Sequence, residues 1–228
     1  MVTEATDNVH LRIAELARGL HGDEADDEQV AKTIVAGAVA EIPGAQYAGL
    51  TVATDRRSIE SFGATHEIAE IHDRIQADVG EGPCLSAALH DRVVRVDDLQ
   101  NDERWPKYRS RAMGEVPIRS VLSFQLFANR NKIGALNLFA DEPNVFDLHA
   151  EDIGVVYATH AALAWNTIKK DQQFNSALAN RDVIGQAKGI LMERFDIDAL
   201  AAFDLLKKLS QESNTKLVEI ARQITLKR

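Results

Sequence analysis

The stretch Arg181–Phe195, reading RDVIGQAKGILMERF, constrains the fold more than any other part of this chain. On a helical wheel Val183, Ile184, Ala187, Ile190 and Leu191 form one apolar stripe. Arg181 and Lys188, seven apart, stack on one flank, and Gly185, Gly189 and Met192 fall on the face away from the stripe. A glycine inside a helix costs about 1 kcal/mol against alanine, so two of them on an outward face are not there for helix stability. They bare the backbone beside two cations, where something can approach closely. AAFDLLKKLSQESNTKLVEIARQI (Ala201–Ile224) follows, and there Thr215 and Lys216 are expected to open a last helix. Free backbone N–H groups at such a start can meet a phosphate, with Arg222 about two turns on.

The tail resembles the ANTAR domain, the C-terminal RNA-binding module of bacterial transcription antiterminators. The resemblance rests on AKGILM (Ala187–Met192), Ala202-Phe203 with Leu206, SQES (Ser210–Ser213) and Ile220-Ala221, and it covers residues 176–228. It implies an all-α three-helix bundle that binds paired hairpin loops in nascent transcripts as a homodimer. The candidate RNA contacts are Arg181, Gly185, Lys188, Gly189, Met192, Thr215, Lys216 and Arg222. The alternative is a three-helix tail that only dimerises or docks.

Charge bears on that reading. The chain carries a net −9, but residues 181–228 hold nine Lys/Arg against seven Asp/Glu, and residues 1–180 hold 17 against 28. A tail at +2 gives weak, salt-sensitive phosphate attraction, so RNA recognition would have to come from loop bases and shape.

Upstream, Asp147–Ala179 holds no Pro and one Gly, and reads as a long connecting helix running into the tail. Its apolar positions Ile153, Val156, His160, Leu163 and Phe174 fall near heptad spacing, interrupted at Thr167 and Lys170, which points to a coiled-coil dimer stalk. Before it, Gln29–Ile42 reads as a helix stopped by Pro43-Gly44. Ala45–Ala53 and Ser58–Ala64 read as strands around a polar turn. His66–Ala77 looks helical, Asp78–Pro83 is a loop, and Cys84–His90 is a short helix. Val93–Val96 is a strand and Asp102–Met113 a helix with Pro106 in its first turn. Arg119–Ala128 and Lys132–Phe139 form a hairpin about Asn129-Arg130-Asn131. A separate amphipathic helix is expected at Val9–Leu20, within an N-terminal segment 1–24.

The sum is an α+β domain, a mainly antiparallel sheet flanked by helices, over residues 25–165, overlapping the connecting helix 147–179. GEGPC (Gly80–Cys84), ERWPKY (Glu103–Tyr108), IRSVLSFQL (Ile118–Leu126) and IGALNLFA (Ile133–Ala140) resemble the GAF domain found joined to ANTAR in actinobacterial regulators. GAF domains are sensory modules holding a small ligand between a sheet face and overlying helices and loops. The candidate pocket residues are Cys84, Trp105 and Tyr108. Cys84 reads either as a thiol activated at a helix start or as a small buried residue. Trp105 reads either as a lid or as a plug.

No catalytic residue and no metal ligand is expected, and no cofactor is named. The chain lacks CxxC, HExxH, a phosphate-cradling glycine loop and a GxSxG elbow. His66 and His72, six apart, lie on different faces of their helix and would meet a metal only through the tertiary fold. GAF proteins that reduce methionine sulfoxide use a set of cysteines, and Cys84 is alone here; a cyclic-nucleotide NKFDE-type motif is also missing. With no membrane span, no signal peptide and one cysteine, the expected home is the cytoplasm. The expected protein is a non-enzymatic antitermination regulator answering an unidentified small-molecule or redox signal. The alternative is a redox or small-molecule GAF protein, enzyme or signalling adaptor, whose tail only mediates dimerisation.

Overall fold

The computed structural model describes residues 27–53, 59–129 and 132–226. The amphipathic segment at Val9–Leu20, the turn at Thr54–Arg57, the hairpin tip at Arg130-Asn131 and the final Lys227-Arg228 lie outside these residues. The chain divides into two compact units, Met1–Asn166 and Thr167–Arg228.

In the first unit a five-stranded antiparallel sheet runs in the order β2-β1-β5-β4-β3. The strands are β1 (Tyr47–Ala53), β2 (Ile59–Phe62), β3 (Val93–Val96), β4 (Ser120–Asn129) and β5 (Lys132–Ala140). The β4–β5 hairpin expected from the sequence is present, with a register shift between Gln125 and Phe127. Pairing sorts the side chains. Leu50 opposes Leu136, and Leu136 opposes Phe124, so these buried residues share one face. That face is covered by α1 (Asp27–Glu41) and by the start of α5 (Leu148–Phe195). The Tyr157 hydroxyl donates to the Ile34 carbonyl at 2.7 Å, tying the two helices. The Gly154 Cα sits so close to the Phe124 ring that any Cβ there would overlap it.

The buried stripe of α5 in this unit is Ala150, Gly154, Tyr157, Ala158, Ala161, Ala162 and Trp165, whereas His160 and Leu163 face solvent. The heptad expected from the large apolar residues is therefore not the packing face. Small residues let the helix lie close on the sheet, and a reading weighted by side-chain size passes over them.

The opposite face carries α2 (Glu67–Val79), α3 (Pro83–Leu89) and α4 (Pro106–Glu115), over a core that includes Ile75, Val96, Leu99, Tyr108, Ile118 and Phe139.

The second unit comprises the distal part of α5, which continues to Phe195, with α6 (Ala199–Ser213) and α7 (Leu217–Leu226). Ala187, Leu191, Ala202, Leu206, Ile220 and Ala221 form its core. Asp198 caps α6, accepting from the N–H groups of Leu200 and Ala201 at 3.0 and 2.8 Å. Asn214, at φ 50°, closes α6 in the left-handed conformation. Among the described residues no helix is long and apolar enough to cross a membrane.

Candidate functional sites

The face of the sheet beneath α2, α3 and α4 has a polar centre. Gly49 and Ser123 both oppose Asn137, and Thr51 opposes both Ala135 and Ser61, so these residues line one face across β2, β1, β5 and β4. Thr51, Ser123 and Asn137 are fully buried. Above them stand His72, Asp73 and Gln76 of α2, Cys84 of α3 and Tyr108 of α4, also buried. Asp73 Oδ2 accepts from Ser61 Oγ at 2.7 Å and Thr51 Oγ1 at 3.0 Å, and Asn137 Nδ2 donates to Thr51 Oγ1 at 2.7 Å. Asp73 Oδ1 and Asn137 Oδ1 have no hydrogen-bond partner among the described residues. Burial pushes the Asp73 carboxyl up to about 6, with the Ser61 and Thr51 hydroxyls pulling the other way.

The protons of this cluster can be placed. The Cys84 backbone N–H donates to Gln76 Oε1 at 2.9 Å, so the same amide turns its NH2 toward His72 Nδ1 at 3.0 Å. Nδ1 is then an acceptor, the ring proton sits on Nε2, and it is donated to the Tyr108 hydroxyl. Burial lowers His72 to about 3, which keeps the ring neutral. Burial, then the neighbouring Asp73, pushes the Cys84 thiol up, so at neutral pH it is a thiol and not an activated nucleophile.

The GEGPC loop builds this arrangement. Gly80, at φ 71°, closes α2 and returns its N–H to the Gln76 carbonyl at 2.8 Å. Glu81 Oε1 accepts from the backbone N–H groups of Lys107 and Tyr108 at 2.6 and 3.1 Å, holding the start of α4 and with it Tyr108. Gly82, at φ 148°, passes so close to the Gln76 side chain that a Cβ would collide with it. Pro83 then starts α3 and places Cys84.

In the second unit Gly185 and Gly189 are exposed, and a Cβ on either would meet none of the described residues within 4 Å. Gly189 lines a surface hollow of about 680 Å³ with Gln186, Ile190, Glu193, Arg194 and Thr225. Arg181 is exposed and Lys188 half-buried.

Residues 24–166 match the GAF domain family model, and residues 172–224 match the ANTAR domain. The chain belongs to the GAF family and carries an ANTAR domain after it. Solved structures agree on the GAF fold. A domain assigned to a two-component sensor histidine kinase protein of Sinorhizobium meliloti superposes with TM-score 0.53 at 15% identity, covering 67% of this chain and 99% of that one. The fRMsr of Staphylococcus aureus, in its reduced form, gives 0.52 at 14% identity over 69% and 95%. The GAF domain of a phosphoenolpyruvate-protein phosphotransferase from Coxiella burnetii gives 0.50 at 14% over 73% and 97%. No curated protein matches the chain.

Of the three pocket residues expected in the GAF domain, two meet: Cys84 and Tyr108 both reach His72. Trp105 stands apart. Its indole N–H donates to Ser86 Oγ at 3.0 Å, Arg104 stacks over its ring, and it is 9% exposed, so it plugs the approach of α4 to α3. It borders a cavity of about 180 Å³ with Glu81, Leu85 and His90.

In the ANTAR domain two expected placements change. Met192 packs partly buried against the core, while Ile190 stays outside that core and lines the hollow. Thr215 precedes α7, and its N–H is already used by the Ser210 carbonyl at 3.1 Å, so it offers no free donor there. Lys216 is exposed at the start of α7, and Arg222 is paired with Glu219 at 2.6 Å. Phe203 is 39% exposed beside the buried Ala202. Thr51, His72, Asp73, Gln76, Ser123 and Asn137 did not stand out as site residues in the sequence. The available signal was an amide and a serine interrupting apolar strands at Asn137 and Ser123.

Proposed function

We propose that this GAF–ANTAR protein is a transcription antitermination regulator: the GAF domain receives a small-molecule or redox signal and the ANTAR domain binds RNA hairpin loops as a homodimer. The observation that carries the RNA reading is the face of Gly185 and Gly189, open to solvent within the matched ANTAR segment and flanked by Arg181 and Lys188. A base from an RNA loop can reach helix backbone there, and the hollow beside Gly189 has room for one. Lys216 lies outside the helices and Arg222 on α7 as further candidate phosphate contacts.

The homodimer reading is supported by apolar side chains that each unit leaves in solvent on α5: Val155 and Leu163 in the first, Phe174 and Leu178 in the second, 43–64% exposed. The chain acts by binding, in the cytoplasm. A reductase cycle that closes an intramolecular disulfide needs a second cysteine, and Cys84 is the only one in this chain.

A gel shift with paired-hairpin leader RNA tests the reading. The full chain is expected to bind such RNA. Lys188→Ala is expected to reduce the slope of log affinity against log salt by about 0.7. Failure of the full chain to retard any hairpin RNA, or binding that ignores the loop sequence, refutes it.

A further inference from the structure

The polar cluster in the GAF core holds three side chains of metal-ligating type. A ring nitrogen of His72, a carboxylate oxygen of Asp73 and the Sγ of Cys84 all lie within 4.8 Å of one another, and all three residues are buried. Cys84 Sγ stands 3.9 Å from His72 Nδ1. In a tetrahedral site with metal–sulfur and metal–nitrogen distances near 2.3 and 2.05 Å, the ligand atoms are about 3.5 Å apart. The Cys84–His72 pair therefore needs to close by about 0.4 Å, and the widest pair by no more than about 1.3 Å, to hold an ion.

We propose that His72, Asp73 and Cys84 form a three-ligand site for a divalent transition-metal ion of the zinc or ferrous class. Each ligand is already oriented. The Nε2 proton of His72 is taken by the Tyr108 hydroxyl, which fixes the tautomer that leaves Nδ1 unprotonated, 3.9 Å from Cys84 Sγ. The Asp73 carboxylate is anchored through Oδ2 by two hydroxyls, and its buried Oδ1 is without a partner among the described residues. Ser123 Oγ reaches Cys84 Sγ at 3.8 Å. The Gln76 amide, which donates to Nδ1, gives up that one hydrogen bond when the metal arrives.

Charge makes the same point independently. Among the described residues, the polar groups hydrogen-bonded to the three ligands are Thr51, Ser61, Gln76, Ser123 and Tyr108, all neutral. A buried carboxylate and a buried thiolate with no countercharge are costly. An M²⁺ ion binding here displaces the thiol proton to solvent, and any proton on Asp73 with it. One thiolate, one carboxylate and one neutral imidazole then balance its two charges. The mixed nitrogen, sulfur and oxygen donors favour a borderline ion over Mg²⁺ or Ca²⁺, which take oxygen. Three protein ligands leave a fourth position for a small exogenous group.

The site does not depend on RNA binding, so its test is separate. The reduced, chelator-stripped full chain is titrated with Co²⁺. The expected result is one ion per chain, with thiolate-to-cobalt charge-transfer absorption and the visible bands of a four-coordinate ion, both bleached by Zn²⁺. Cys84 is the only cysteine, so the charge-transfer band reports on this residue alone. His72→Gln and Asp73→Asn are expected to weaken Co²⁺ binding at least tenfold, and exposed His66→Gln to leave it unchanged. A folded wild-type protein that shows no thiolate band with Co²⁺ overturns the proposal. So does an undiminished affinity in folded His72→Gln and Asp73→Asn. If those variants do not fold, the wild-type titration alone decides.

Discussion

Gly189→Leu separates the stability of the ANTAR domain from its RNA binding. A Cβ at Gly189 would meet none of the described residues within 4 Å, so the new side chain enters open space. Helix propensity then favours leucine by about 0.7 kcal/mol. For a unit of this size each kcal/mol moves the melting temperature by about 4–8 °C, so the variant should melt about 3–6 °C higher. Calorimetry, or hydrogen exchange of the amides in Arg181–Phe195, reads that change. In a gel shift with hairpin RNA the leucine fills the hollow shared with Gln186, Ile190 and Arg194, and affinity should fall at least tenfold, about 1.4 kcal/mol. The opposite signs are the signature. A stable variant that binds RNA as the wild type does refutes this face as the RNA surface and moves the contact to Lys216 and Arg222. A variant that loses both properties shows that the glycine packs against another helix, such as that of a second copy.

Gly154→Ala should behave in the opposite way in the GAF domain, destabilising it by about 1–3 kcal/mol in urea unfolding, because its methyl group overlaps the Phe124 ring. Light scattering at micromolar concentration should give twice the 25.1 kDa chain mass, and a clean monomer would remove the stalk. Stability against pH should follow two opposed protons in metal-free protein. His72, lowered to about 3 from 6.5, makes the unfolded chain bind the extra proton, so stability rises from pH 3 to 6.5; Asp73, raised to about 6 from 3.8, makes the folded chain bind it, so stability falls over roughly pH 4 to 6. Asp73→Asn removes the falling part and should be more stable than the wild type at pH 7 by about 3 kcal/mol relative to their difference at pH 3.5, whereas identical pH profiles would show that Asp73 does not titrate there.

Much of the architecture was legible locally. Pro43-Gly44, Gly80–Pro83 and Pro106 mark element ends through backbone conformation, which a sequence states directly. The face of Gly185 and Gly189 was legible for the same reason: helical period fixes which residues share a side. The limits appear where distance along the chain is large. Asp73 meets Thr51, 22 residues away, and Thr51 meets Asn137, 86 away, so no spacing rule brings the three together. His72 and Asp73 look like ordinary polar positions of an amphipathic helix until the sheet is placed beneath them. The stripe of Ala158, Ala161 and Ala162 was passed over because small residues advertise little hydrophobicity while allowing the closest packing. Thr215 failed as a free donor because the left-handed Asn214 turns the chain back and engages its N–H on α6.

The polar centre of the sheet also bears on how this protein can be engineered. A redesign guided only by folding stability would go first to Asn137, Ser123 and Asp73, since each puts hydrogen-bonding atoms where an apolar side chain of similar size would fit the core. Valine, alanine and leucine there would add apolar packing, but would leave the Thr51 and Ser61 hydroxyls without the acceptor they share. The same changes would remove the polar floor that Thr51, Ser123 and Asn137 form beneath α2 and α3, along with the carboxylate above it. Those positions are the ones to hold fixed when the rest of the core is optimised, because a search on folding stability alone does not register what their polarity is for.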